Sequence, residues 1–145
     1  MPRRSSARSS RTTGNSPGAA ASAPCPCGLG APYAECCGAF HAGRSAAPTA
    51  ERLMRSRYAA FVAQDTAYLL RTWSAGTRPA ELTLDRGMRW TGLDVLGSTG
   101  GSAFHTEGTV EFTAHYRVGG ADGEQHENSR FVREDGLWVY VDAIQ

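Results

Sequence analysis

The sequence predicts an α+β fold in which a curved antiparallel sheet wraps on N-terminal helices, with a small cysteine-rich unit ahead of them. Three observations carry this expectation. All four cysteines lie between Cys25 and Cys37, two helical patterns follow, and turn signals then divide residues 89–143 into four extended segments. Strands gathered after helices, rather than alternating with them, make a meander the natural sheet.

The chain has 145 residues with 15 basic and 14 acidic side chains, and every basic one is arginine. Residues 1–23 hold Arg3, Arg4, Arg8 and Arg11 but no acid, no aromatic residue and no Leu, Ile or Val. Such a composition cannot bury enough apolar area to offset its ordering entropy, so a disordered Arg/Ser-rich tail is expected. Residues 19–23 are too weakly apolar for the core of a secretory signal, and no run of eighteen apolar residues occurs. A cytoplasmic protein with no membrane span is expected. The net charge of +1 also divides unevenly, +4 in the tail and −3 in the rest. A uniformly basic nucleic-acid binder is excluded, while the tail with the cysteine unit keeps nucleic-acid or ribosome contact as a minor reading.

Residues 24–43 form the cysteine unit. Cys25 and Cys27 are followed after eight residues by Cys36 and Cys37, a spacing that lets four thiolates complete a tetrahedral shell around one zinc ion. Gly28 and Gly30 allow a tight turn whose amides can face the sulfurs, Pro32 begins the return to Cys36, and Tyr33 supplies an apolar anchor. Two disulfides are the competing reading, disfavoured in a reducing compartment, and redox-active thiols are another. Four protein ligands leave no position for water, so the zinc is expected to be structural. His41 is read as a capping or surface residue rather than a fifth ligand.

Residues 44–145 make the α+β body. Thr49 can cap a helix with Glu51 in its first turn and apolar residues at Leu53, Met54, Tyr58, Phe61 and Val62, while Arg52, Arg55 and Arg57 fall largely off that stripe. Asp65 can cap a second helix carrying Leu69, Leu70 and Trp73 and stopping before Gly76, the two forming an antiparallel pair. Turn signals at 98–102, 119–123 and 135–136 then separate four strands. Val110, Phe112, Ala114 and Tyr116 share one face of the second strand and Glu111, Thr113, His115 and Arg117 the other, which marks it as half-buried. The last strand is apolar on both faces and is expected to be covered on both.

The stretch Cys-Pro-Cys-Gly-Leu-Gly-Ala-Pro-Tyr-Ala-Glu-Cys-Cys-Gly, Cys25 to Gly38, resembles the SEC-C motif, the zinc knuckle at the carboxyl end of the preprotein translocation motor SecA. Leu29 and Ala31 stand where that knuckle usually has serine and a basic residue, which weakens any inference to the motor's acidic chaperone. Phe40-His41-Ala42-Gly43, Leu53-Met54-Arg55-Ser56-Arg57-Tyr58, Gly108-Thr109-Val110-Glu111-Phe112 and Trp138-Val139-Tyr140-Val141-Asp142 resemble the YchJ-like family. The resemblance implies a knuckle joined to a cone-shaped domain of the nuclear-transport-factor-two-like (NTF2-like), cystatin-like class.

Cones of this kind often hold a pocket at the open end. The polar strand from His126 to Phe131, beside Trp73 and Trp90, is the candidate wall. In an enzyme, Asp94 or His126 would move the proton, with Tyr58, Tyr68 or Arg130 steadying an oxyanion. His115 is read as solvent-facing. No phosphate loop, His-Glu-x-x-His motif or nucleophile elbow is present. The expected function is a non-enzymatic protein- or ligand-binding module with a structural zinc knuckle, a protein partner meeting the knuckle and homodimerisation open. The alternative is a small isomerase or dehydratase working in the cone.

Overall fold

The computed structural model describes residues 21–144. The expected tail therefore lies outside the described residues except for Ala21 to Ala23, which are tied into the knuckle. The carbonyls of Ala21 and Ala23 accept from Ala34 N at 3.0 Å and Tyr33 N at 2.8 Å, and Pro24 bridges Pro32. A 3₁₀ turn at Tyr33–Glu35 and the short helix α1, Cys37–His41, complete this unit.

Helix α2 spans Ala50–Ala63 and α3 spans Thr66–Arg71. Both start where the sequence offers a cap: Thr49 Oγ1 accepts from Arg52 N at 3.1 Å and Asp65 Oδ1 from Tyr68 N at 3.0 Å. Gln64 turns the chain between them in the left-handed region, at φ 58°. Helix α3 ends earlier than the pattern suggested: Trp73 N bonds to Leu70 O at 3.2 Å and Ser74 N donates to Tyr140 O at 2.7 Å instead of continuing the helix. Trp73 consequently lies beyond the helix, in a bridge with Tyr140.

Strands β1 (Met88–Gly100), β2 (Glu107–Val118), β3 (Ala121–Glu134) and β4 (Leu137–Ala143) form one sheet in sequence order, each pair antiparallel. The first turn falls later than expected, after Gly100, and Gly101 O then accepts from Ala50 N at 2.9 Å, closing the start of α2. Register shifts at Trp90/Gly92, Val95/Gly97 and Arg130/Phe131 bend the strands. The inner face supplies Val110, Phe131 and Trp138 to a core shared with Leu53, Met54 and Leu69. In β4 Trp138 and Val139 are buried on opposite faces as expected, but Leu137 is 54% exposed because it adjoins the Asp135-Gly136 turn.

Helix α2 is buried almost all round, since it is held between the sheet and the knuckle. Its Leu53 and Met54 enter the main core, whereas Ala59, fully buried, joins the cluster of the four cysteines. That two-sided burial corrects the single-stripe reading of this helix: Arg57 is 6% exposed rather than off the buried face.

Candidate functional site

The knuckle brings all four predicted ligands together. The sulfurs of Cys25, Cys27, Cys36 and Cys37 all lie within 4.8 Å of one another, and those of Cys27 and Cys36 are 3.6 Å apart. A tetrahedral zinc with Zn–S bonds of about 2.3 Å sets sulfurs roughly 3.8 Å apart, so the cluster has the size of such a shell. Each cysteine is at most 4% exposed, and all are free thiols. Gly28 and Gly30 sit at φ 90° and 91°, left-handed angles that a side chain would strain, and they turn the chain behind the first pair.

The thiols oppose one another's ionisation. Hydrogen bonds from the Cys27 and Cys37 thiols hold Cys25 down to about 2. Cys27 is pushed up to about 12, chiefly by its bond to Cys25 and also by burial. Cys37 is pushed higher still, by its bonds to Cys25 and Cys27 and by burial. One thiolate is therefore favoured and the next are resisted, the condition a divalent cation between the sulfurs would relieve.

Helix α2 supplies the surroundings of the cluster. Arg55 Nη1 donates to Cys27 O at 2.6 Å while its Nε meets Glu51 at 2.9 Å. Arg52 Nη2 lies 3.9 Å from Cys36 Sγ, and its guanidinium stacks 5.1 Å from the Phe40 ring. Two cations thus flank a site that would carry net negative charge with zinc bound. Neither was singled out from the sequence, since only the docking of α2 onto the knuckle brings them there.

His41 is neither a ligand nor a surface cap. Its Nε2 is 2.9 Å from Ser56 O, an acceptor, so Nε2 carries the proton and donates. Its Nδ1 is then the acceptor for Tyr33 Oη at 2.5 Å. Burial pushes Tyr33 up to about 12, which keeps that hydroxyl a donor. The chain Tyr33, His41, Ser56 fastens the knuckle to α2.

A cavity of about 230 Å³ opens between α2 and the inner face of the sheet. Trp73 and Trp90 line it as expected, and so do Tyr58, Phe61 and Phe112. Asp94, His126 and Arg130 do not. Asp94 Oδ2 is 2.8 Å from His115 Nε2, His126 Nε2 is 2.6 Å from Glu111, and Arg130 Nε is 3.3 Å from Asp142, all on the outer face of the sheet. His115 is on that face too, as anticipated. Tyr68 is buried in the core, where its hydroxyl meets Ser56 Oγ at 2.7 Å. Strand parity explains the exchange: the inner residues of β3 are Gln125, Glu127, Ser129 and Phe131. Their position was readable by counting back from the Gly119-Gly120 turn, which sets Glu127 opposite the inward Phe112. Arg57 also lines the cavity and had been missed.

A cysteine knuckle fused to a cone of helices and meander defines a SEC-C motif joined to an NTF2-like domain. Residues 22–39 match the SEC-C motif, and residues 49–143 match the domain described as YchJ, middle NTF2-like domain. A UPF0225 protein of Streptomyces coelicolor is 63% identical over 120 residues, 83% of this chain and 94% of its own length. One from Corynebacterium efficiens is 53% identical over 80% of this chain and 88% of its own. The solution structure of a SEC-C motif containing protein from Rhodopseudomonas palustris superposes with a TM-score of 0.72 at 34% identity, covering 83% of this chain and 97% of that one. The chain belongs to the YchJ-like, UPF0225 family.

Proposed function

We propose that this protein is a non-enzymatic binding module in which one structural zinc, held by Cys25, Cys27, Cys36 and Cys37, staples the knuckle to the helix that roofs the cone. The observation that carries this reading is the buried four-sulfur cluster packed on Ala59 and flanked by Arg52 and Arg55. Zinc supplies charge neutralisation and a tetrahedral anchor there, and a full protein shell gives it no open position for a reacting water. The exposed turn at Leu29 is the part of the knuckle a protein partner would meet. The cone supplies a second, internal surface, the cavity under α2. Asp94 and His126, the groups an isomerase was expected to use, face away from that cavity, which favours binding over proton transfer by those two residues.

Stripping the metal tests the staple. A zinc chelator should lower the melting temperature of the whole chain and raise amide exchange along α2, not only in residues 21–43. Exchange in α2 that is indifferent to the chelator would contradict the proposal.

A further inference from the structure

We propose that the cone cavity takes a small apolar carboxylic acid, its carboxylate on Arg57 and a hydroxyl or amino donor on the adjacent carbon toward Glu127. The inference rests on the reading of the cone as a binding chamber and names what it would hold.

Arg57 is a buried cation that forms no ion pair among the described residues. Its Nη1 donates to Leu69 O and Thr72 Oγ1, each at 2.7 Å, and so ties α2 to the end of α3. A tie needs no more than that. Nε and Nη2 make no hydrogen bond among the described residues, and neither is sealed from a water-sized group. The guanidinium lies 5.2 Å from the Trp73 ring centre and 4.8 Å from that of Tyr140, which carry part of its charge. Burial lowers Arg57 only to about 10, so it stays cationic at neutral pH. A buried guanidinium lacking an anion is costly, and an entering carboxylate would offset that cost.

Glu127 lines the cavity from the sheet side, on β3. Its Oε2 accepts from Ser129 Oγ and, at 3.3 Å, from Tyr140 Oη, and its Oε1 accepts from Gln125 Nε2 at 3.3 Å. Tyr140 thereby spans the two charges, its ring against Arg57 and its hydroxyl on Glu127, and they present themselves to the cavity separately instead of closing on each other. Trp73 contributes its ring to the lining, while its Nε1 is sealed from the cavity and has no partner among the described residues. The rest of the lining is largely apolar, with Met54 and Phe61 on the helix beside Arg57 and Phe112 on the strand beside Glu127. An acceptor and a donor one bond apart on an apolar body match this division: a 2-hydroxy or 2-amino acid. At about 230 Å³ the cavity lies below the usual range for drug-sized ligands, so a single-ring side chain fills it.

The test uses the full chain as purified and the indole N–H resonances of its three tryptophans. Phenyllactate should move the Trp73 and Trp90 signals saturably, while Trp138, whose Nε1 donates to Pro48 O at 3.2 Å, stays still. Phenyllactamide should bind at least tenfold more weakly, about 1.4 kcal/mol, for want of the carboxylate. 3-Phenylpropanoate should fall between them. Glu127→Gln should bring phenyllactate and 3-phenylpropanoate to equal affinity while the acid still outbinds the amide, and Arg57→Lys, checked for folding by its melting curve, should narrow the gap between acid and amide. No saturable shift, equal shifts at all three indoles, or equal affinity for acid and amide would overturn the assignment. Zinc measured on the same sample separates the two readings. One zinc per chain without acid binding sinks the ligand and leaves the staple, and acid binding by a zinc-free chain does the reverse.

Discussion

Gly38→Ala sets helix propensity against geometry, and the two predict opposite signs. Gly38 lies inside α1, where exchanging glycine for alanine ordinarily stabilises by about 1 kcal/mol. A Cβ added there would stand 2.6 Å from Tyr33 O and 2.9 Å from the edge of the Tyr33 ring. The nearer atom is backbone of the turn between the two cysteine pairs, so relief requires moving the frame of the site rather than a flexible tip. Overpacking of this kind costs about 3 kcal/mol, which leaves a net loss of about 2 kcal/mol. For a domain of this size that lowers the melting temperature by roughly 6–10 °C. Gly97→Ala is the control: its Cβ would meet nothing within 4 Å and its φ is not positive, so it should stay within about 0.5 kcal/mol of the parent. Thermal melts of the three zinc-loaded proteins, with zinc retention against a competing chelator, measure both effects. A Gly38→Ala protein as stable as the parent, holding zinc equally well, would refute the close approach of Tyr33 to α1.

Leu53→Ala should cost about 2–5 kcal/mol in chemical denaturation, because Leu53 is 2% exposed in the core that joins α2 to the sheet. Cys27→Ser should release the metal and lower the melting temperature of the whole chain, whereas on metal-stripped protein the same change should matter little. Alkaline titration should destabilise the fold between pH 10 and 12. Burial pushes Tyr33, Tyr58 and Tyr140 each up to about 12, so the unfolded chain ionises first, and the stability present below pH 10 is lost as pH rises through the folded values.

What could be read from the sequence was local. Thr49 and Asp65 cap the helices they were expected to cap because a side-chain oxygen two or three residues from an amide needs no tertiary partner. The cysteine spacing and the alternation in β2 were legible for the same reason. The inward face of β3 is legible only through parity: a polar strand is featureless on both faces until its register against β2 is counted from the Gly119-Gly120 turn, and without that count His126 stands in for the inward Glu127. Arg57 eluded the pattern because arginine counts as a solvent-facing residue until a helix is seen buried on two sides. His41 likewise acquires its role only when Ser56, fifteen residues on, comes against it.

The central claim is that four cysteines hold one structural zinc, and metal analysis of the full chain purified without added metal tests it most directly. One zinc per chain, with all four thiols unreactive toward a thiol reagent until a chelator is added, is the result expected. Protein that is folded, free of metal and either disulfide-bonded or freely thiol-reactive would contradict it.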